Sequence, residues 1–202
     1  MDSRVIADLI LHLGRIAAGD GLAGGLTPVQ WAGLRFFARA NRFSRTPSAF
    51  AAFHGTTRGT ASQTVKGLVA RGVLRQTRSK SDGRSVRLDL TAKGRAILAG
   101  DPIETLVRAA DALPAGVRGD FSVTLQRMLG CVVSQTGKPF FGTCETCVHF
   151  EGGSCCQEGL PAHVCGFLNE PLMDEERNGL CINFASGKPG SPRTPGVCAG
   201  QQ

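Results

Sequence analysis

Apolar residues return at helical spacing at the start of the chain. Val5, Ile6, Leu9, Leu13, Ile16 and Ala17 line one face of a helix predicted over 3–18. Four glycines between Gly19 and Gly25 then predict a loop. Thr27-Pro28 is a helix start, with Thr27 as N-cap and Pro28 at the first helical position. The helix that follows is predicted to reach about Asn41 and carries Trp31, Leu34 and Phe37. Thr46-Pro47 repeats the signal and opens a short helix that stops at Gly55. Thr56 and Thr57 can both cap the next helix, about 57–71, whose apolar stripe is Ala61, Val65, Leu68 and Val69.

After Gly72 the period changes from helical to two. Val86, Leu88 and Leu90 alternate with Arg87 and Asp89, and Val73–Arg78 alternates in the same way. The polar stretch between them contains Asp82-Gly83, a turn signal, so a β-hairpin is predicted. Thr91 caps another helix, which breaks at Asp101-Pro102. Helices over 103–112 and about 116–134 follow; Phe121, Leu125, Met128, Leu129 and Val132 form the apolar face of the last. From Thr136 the chain is rich in Gly, Pro and Cys and poor in periodic apolar residues, too poor to hold a core without a staple. The expected architecture is mainly α with a small β wing, a winged helix-turn-helix, plus an irregular Cys-rich C-terminal module. The expected boundaries are 1–135, 136–185, and a flexible tail over 186–202.

Charge adds a direction to this picture. From Arg35 to Arg95 there are 14 Lys/Arg and 2 Asp/Glu, a local net of +12, whereas from Pro139 to the end the net is −4. Basic charge concentrated in one segment is the footprint of a polyanion binder. A short helix, a tight turn and a longer helix place the longer one to enter a major groove. Its predicted outward face carries Gly59, Thr60, Gln63, Lys66 and Gly67. Gln63 suits an adenine edge and Thr60 either base type, while Lys66 and Arg58 suit phosphates. The small Gly59 and Gly67 are expected to let the helix sit close to the duplex. The hairpin tip holds Lys80, Asp82 and Arg84, and an Arg at such a tip can enter a minor groove.

The run from Leu26 through the hairpin to Leu90-Thr91-Ala92-Lys93-Gly94 resembles the MarR family of bacterial transcription regulators, over about residues 5–134. The most specific stretch is the longer helix followed by GVLRQTRSKSDGRSVRLDLTAKG, with its D-x-R and L-T-x-x-G. The resemblance implies that Asp82 orients the wing and Arg84 contacts DNA. It also implies a homodimer whose terminal helices, here about 3–18 and 103–134, interlock over a near-palindromic operator on double-stranded DNA. Many such regulators also respond to a small-molecule effector.

Seven of the eight cysteines fall between Cys144 and Cys198. Cys144 and Cys147 form a C-x-x-C pair, which grips a metal because two thiolates reach one ion across a tight turn. Cys165 and Cys181 complete a set of four. Cys155 and Cys156 are adjacent, Cys131 lies in the last helix and Cys198 in the tail, so they are set aside. His149 and His163 are spare candidates, more simply read as packing residues. One C-x-x-C with two lone cysteines suits a [4Fe–4S] cluster; Zn2+ is the alternative, and thiols without metal the third.

Three functions compete at this point. The first is a repressor whose promoter affinity follows iron or redox state through the cysteines. The second is a zinc-stapled regulator gated by a small ligand. The third is a redox enzyme carrying a DNA-binding-like domain, against which stand the lack of a phosphate loop, a nucleophile motif or a carboxylate pair. Asp2, Asp8, His12 and Arg15 interrupt the first apolar run, so it does not read as a signal peptide, and no stretch reads as a membrane span. A cytoplasmic location is expected.

Overall fold

The computed structural model describes residues 2–18, 23–78, 86–152 and 163–187. Helix α1 spans Ser3–Ala18 and α2 spans Pro28–Arg39, opened by Thr27. The Thr27 hydroxyl accepts from the Gln30 N–H and the Gln30 side chain accepts from the Thr27 N–H, a reciprocal capping box. α2 stops two residues short of the predicted end. Ala40 turns extended and bridges Leu180 from the far end of the chain. A tertiary contact, not a local stop signal, ends this helix.

α3 (Pro47–His54) is capped by Thr46 and closed by Gly55, whose φ of 64° is left-handed. α4 (Arg58–Ala70) is capped by Thr57, one residue inside the predicted start. Strands β1 (Leu74–Arg78) and β2 (Val86–Leu90) pair antiparallel, Leu74 opposite Leu90 and Arg78 opposite Val86. This is the predicted wing. α5 (Ala92–Leu98) follows the Thr91 cap, and Gly94 lies so close to the Val73 carbonyl that a Cβ there would collide with it. Only glycine permits this approach of α5 to the hairpin.

One core holds these elements together. Trp31, Leu34, Phe36 and Phe37 of α2 meet Phe50 of α3, Ala61, Val65 and Leu68 of α4, and Val73, Leu74 and Leu88 of the wing. Phe36 stands edge-on to Phe37 with ring centroids 5.2 Å apart. α6 (Glu104–Asp111) and α7 (Ala115–Thr136) contribute no buried residue, and α1 contributes only Ala17. Their apolar faces are open: Leu9 is 54% exposed and Leu129 50%.

Among the described residues, an ion pair ties α1 and α6 to the core. Arg35 of α2 reaches Asp101 at 2.5 Å and donates to the Ala17 carbonyl at 2.9 Å. Asp101 in turn accepts from the Ile103 N–H at 2.9 Å, at the start of α6. The Asp101-Pro102 break in the sequence is thus the anchor of α1 and α6 on α2.

The described part of the C-terminal segment, 137–152 and 163–187, carries short strands where the sequence predicts an irregular module. β3 (Gly142–Thr143) pairs antiparallel with β7 (Leu180–Cys181), and β4 (Phe150–Gly152), β5 (His163–Cys165) and β6 (Glu170–Leu172) form an antiparallel meander. Strands of two or three residues are too short to leave an alternation in the sequence. The segment also packs against the winged helix. Leu180 is buried in the main core, and Phe141 stacks edge-on against Phe36 and Phe53.

Candidate nucleic-acid interface and thiol centre

The α3–turn–α4 unit is set by its caps. The Thr57 hydroxyl accepts from the Thr60 N–H at 3.1 Å, and Thr46 does the same for Ala49 at 3.1 Å. Ala61, Thr64, Val65 and Leu68 turn inward, so Arg58, Thr60, Gln63 and Lys66 lie exposed on the opposite face. Thr60 is less free than its exposure implies, because its hydroxyl lies 3.0 Å from that of Thr57. A Cβ on Gly59 would make only an ordinary contact, 3.8 Å from Oγ1 of Thr57. Gly67 does not: a Cβ there would stand 3.1 Å from Nε2 of Gln30, so it faces α2. Its role is the crossing of α4 over α2, not approach to a duplex. Lys80, Asp82 and Arg84 lie outside the described residues.

Below the tip, the wing is held to the body by Arg45. Its guanidinium pairs with Asp89 at 2.8 Å, and its carbonyl accepts from the Leu88 N–H at 2.8 Å. A cleft of about 520 Å³ opens beside this joint, with Phe37, Leu90 and Leu98 on its apolar side and Arg45, Arg75, Arg87 and Arg95 on its basic side.

All four cysteines singled out above are buried. The Cys147 N–H donates to the Cys144 carbonyl at 3.0 Å, the tight turn expected of C-x-x-C. Cys144, Cys165 and Cys181 share a small cluster with Leu172, against which Phe43, Phe150, Leu168 and Phe184 pack. Asn41 Nδ2 lies 3.5 Å from Cys144 Sγ, and the Ala185 N–H 3.5 Å from Cys147 Sγ. Cys144 and Cys181 are hydrogen-bonded to each other. That bond, with burial, pushes the Cys144 thiol up, and it holds Cys181 down to about 6, helped by Asn41, Asn183 and Ser44. Among the described residues, no three His, Cys, Asp or Glu side chains stand close enough to share an ion. Thiols are the right donors for such an ion, but as placed these four do not form a metal-holding group. His149 stacks on Phe167 and His163 pairs with Asp174 at 3.1 Å. Cys131 is exposed on α7, and Cys155, Cys156 and Cys198 lie outside the described residues.

Sequence reasoning missed the residues on which this segment rests. Asn41 and Ser44, 1% and 0% exposed, form its floor. Arg42 pairs with Glu176 at 2.6 Å, and it donates to the Pro171 carbonyl. A buried Asn in an Asn-Arg-Phe-Ser turn carries no local mark that distinguishes it from a solvated one.

The MarR family model matches residues 24–85, the stretch from the loop before α2 to the wing tip. A MarR regulator from Silicibacter pomeroyi aligns at 21% identity and a TM-score of 0.51, over 63% of this chain and 87% of its own. A MarR regulator from Methanosarcina mazei Go1 aligns at 21% identity and a TM-score of 0.50, over 63% of this chain and 95% of its own. The S. aureus MepR–DNA complex aligns at 18% identity and a TM-score of 0.48, over 64% and 97%. No curated protein sequence matches the chain. The winged helix here has the MarR-family fold.

Proposed function

We propose that the protein is a dimeric, DNA-binding transcription regulator, not an enzyme, whose operator affinity follows the state of its C-terminal thiol centre. The observation that carries the DNA-binding part is the exposed α4 face. Arg58, Gln63 and Lys66 stand together on a helix of groove-reading length, backed by a packed core and flanked by a wing. The dimer part is supported by the open apolar faces of α1, α6 and α7, including Leu9, Leu13, Val107, Phe121 and Leu129. Such faces need a partner, and a second copy supplies matching ones. Two α4 helices then read half-sites about one helical turn apart, in a near-palindrome. No helix among the described residues is long and apolar enough to cross a membrane.

The base-reading role of α4 is tested by Gln63→Ala. Binding to duplexes selected from a random pool is expected to relax at one position per half-site, by about 1–3 kcal/mol, with little change elsewhere. Uniform weakening across all sequences would show instead that Gln63 touches only the backbone.

For the thiol centre, Cys144, Cys147, Cys165 and Cys181 would hold a [4Fe–4S] cluster, with Zn2+ as the alternative occupant. Burial and the N–H donors to sulfur support this, since such donors stabilise bound thiolates and tune a cluster. Cys144→Ser in protein prepared anaerobically is expected to lose bound iron and sulfide, or zinc, below half of the wild-type content, while Cys131→Ser keeps it. The winged helix, with its own core, is expected to stay folded by circular dichroism. Equal operator affinity in loaded and stripped wild-type protein would rule out sensing by the thiols. It would favour the second reading, gating by a small anionic ligand in the basic cleft between Phe37, Leu98, Arg45 and Arg95.

A further inference from the structure

The chain leaves α7 at Gly137, whose φ of 64° is left-handed, and returns to the helix-turn-helix unit. There Phe141 packs against α2 and α3. Its ring stands edge-on, 5.1 Å from that of Phe53 and 6.1 Å from that of Phe36. Phe36 is buried, so the arm over 137–141 is fastened to the main core. Pro139 fixes one backbone angle within the arm. The side chain that this arm carries to the α3–α4 turn is Lys138. A Cβ on Gly55, the residue that closes α3, would stand 3.3 Å from Lys138 Nζ. Thr57, two residues further on, caps α4. Lys138 is exposed, and among the described residues no ion pair takes up Lys138, Arg58 or Lys66.

We propose that Lys138 is a DNA-phosphate contact, supplied to the helix-turn-helix by the arm that follows the last helix. This rests on the reading of α4 as the groove-reading helix. In such a unit the first residues of the second helix reach base edges, while the first helix crosses the backbone. The turn between them therefore lies at the rim of the major groove, where the phosphates of one strand pass. Gly55 is in that turn, and the Lys138 ammonium stands beside it. An ammonium has three donors and no acceptor, so without a carboxylate its partner is water or another anion. Glycine at position 55 serves twice. Its left-handed φ ends α3, and its missing side chain leaves room for the ammonium. Arg58 lies in the first turn of α4, so Lys138 adds a second cation where that helix enters the groove. A phosphate contact carries no base information; it adds affinity and fixes the register of the protein on the duplex. The arm thus makes part of the DNA-binding surface from chain that lies beyond the winged helix.

The experiment uses the full chain and a duplex that the wild-type protein selects from a random pool. Anisotropy over a salt series gives the slope, ethylation interference maps the phosphates, and thermal melting reports the fold. Lys138→Gln keeps most of the stem and removes the charge. It is expected to lower the salt slope by about two per dimer and to weaken binding roughly tenfold at about 100 mM salt. Sequence preference and melting are expected to stay as in wild type. Ethylation of one phosphate per half-site is expected to weaken wild type and Lys138→Arg, and to have no effect in Lys138→Gln. The inference is overturned, with DNA binding left intact, if slope and ethylation pattern match wild type in Lys138→Gln. It is also overturned if that variant melts lower and binds more weakly by the same factor at every salt. Lys138 then serves only the C-terminal end of α3, where a cation stabilises the helix. If the wild-type protein selects no duplex, the reading of α4 falls, and the contact falls with it.

Discussion

Operator affinity is expected to fall by roughly 10³-fold or more between 50 and 200 mM salt, because each phosphate contact releases a condensed counterion. Arg58 and Lys66 stand exposed on α4, and the two-fold mate in the proposed dimer doubles them. With Arg84 and Lys80, which the sequence assigns to the hairpin turn, the proposed dimer reaches about six or more contacts, the number at which such a loss is expected. The local net of +12 between Arg35 and Arg95 raises the encounter rate as well. Fluorescence anisotropy across a salt series on a selected duplex gives the slope directly. Lys66→Ala should lower that slope by about two per dimer while leaving the sequence preference alone. A flat salt dependence would mean that the basic segment faces something other than DNA.

The second large effect lies in the anchor of the outer helices. Arg35→Met removes the partner of Asp101, whose side chain is only 4% exposed, and leaves that carboxylate buried without its cation. Breaking a buried pair from one side costs about 3–5 kcal/mol, and the low end is expected here because Arg35 itself is 20% exposed. The same change removes the hydrogen bond to Ala17, so α1 loses its tie to α2. Thermal unfolding should therefore shift down by several degrees or more. If α1 and α6 build the dimer, sedimentation should also show weaker association. Asp101→Asn keeps the shape and part of the hydrogen bonding, and is expected to cost less. Unchanged melting in Arg35→Met would show that the outer helices are held by other contacts.

Helix starts were readable because capping chemistry is local. Thr27, Thr46, Thr57 and Thr91 each bond an N–H three residues on, so each announces its helix within one turn of sequence. The wing was readable for a similar reason, since period two is written along β2 and a turn signal precedes it. The exposed side of α4 followed from its apolar stripe, apart from Gly67, which helical spacing places outward but which faces Gln30. A glycine has no side chain to bias the stripe either way, so only the packing of α2 on α4 reveals its side.

The pattern of apolar and polar positions by itself determined the order of the helices, the hairpin, the basic segment and the four cysteines with metal-ligand spacing. It did so because each of these signals lies within a few residues of the element it specifies. What joins the pieces lies far apart in the chain. Arg35 meets Asp101 across 66 positions, Asn41 meets Cys144 across 103, and Ser44 meets Ile182 across 138. Each of these pairings is one polar side chain satisfied by another, and no local pattern records which distant partner a buried polar group will find. Only the tertiary structure decided that α2 stops at Arg39 to receive Leu180, and that the thiol centre rests on the turn that also holds the wing.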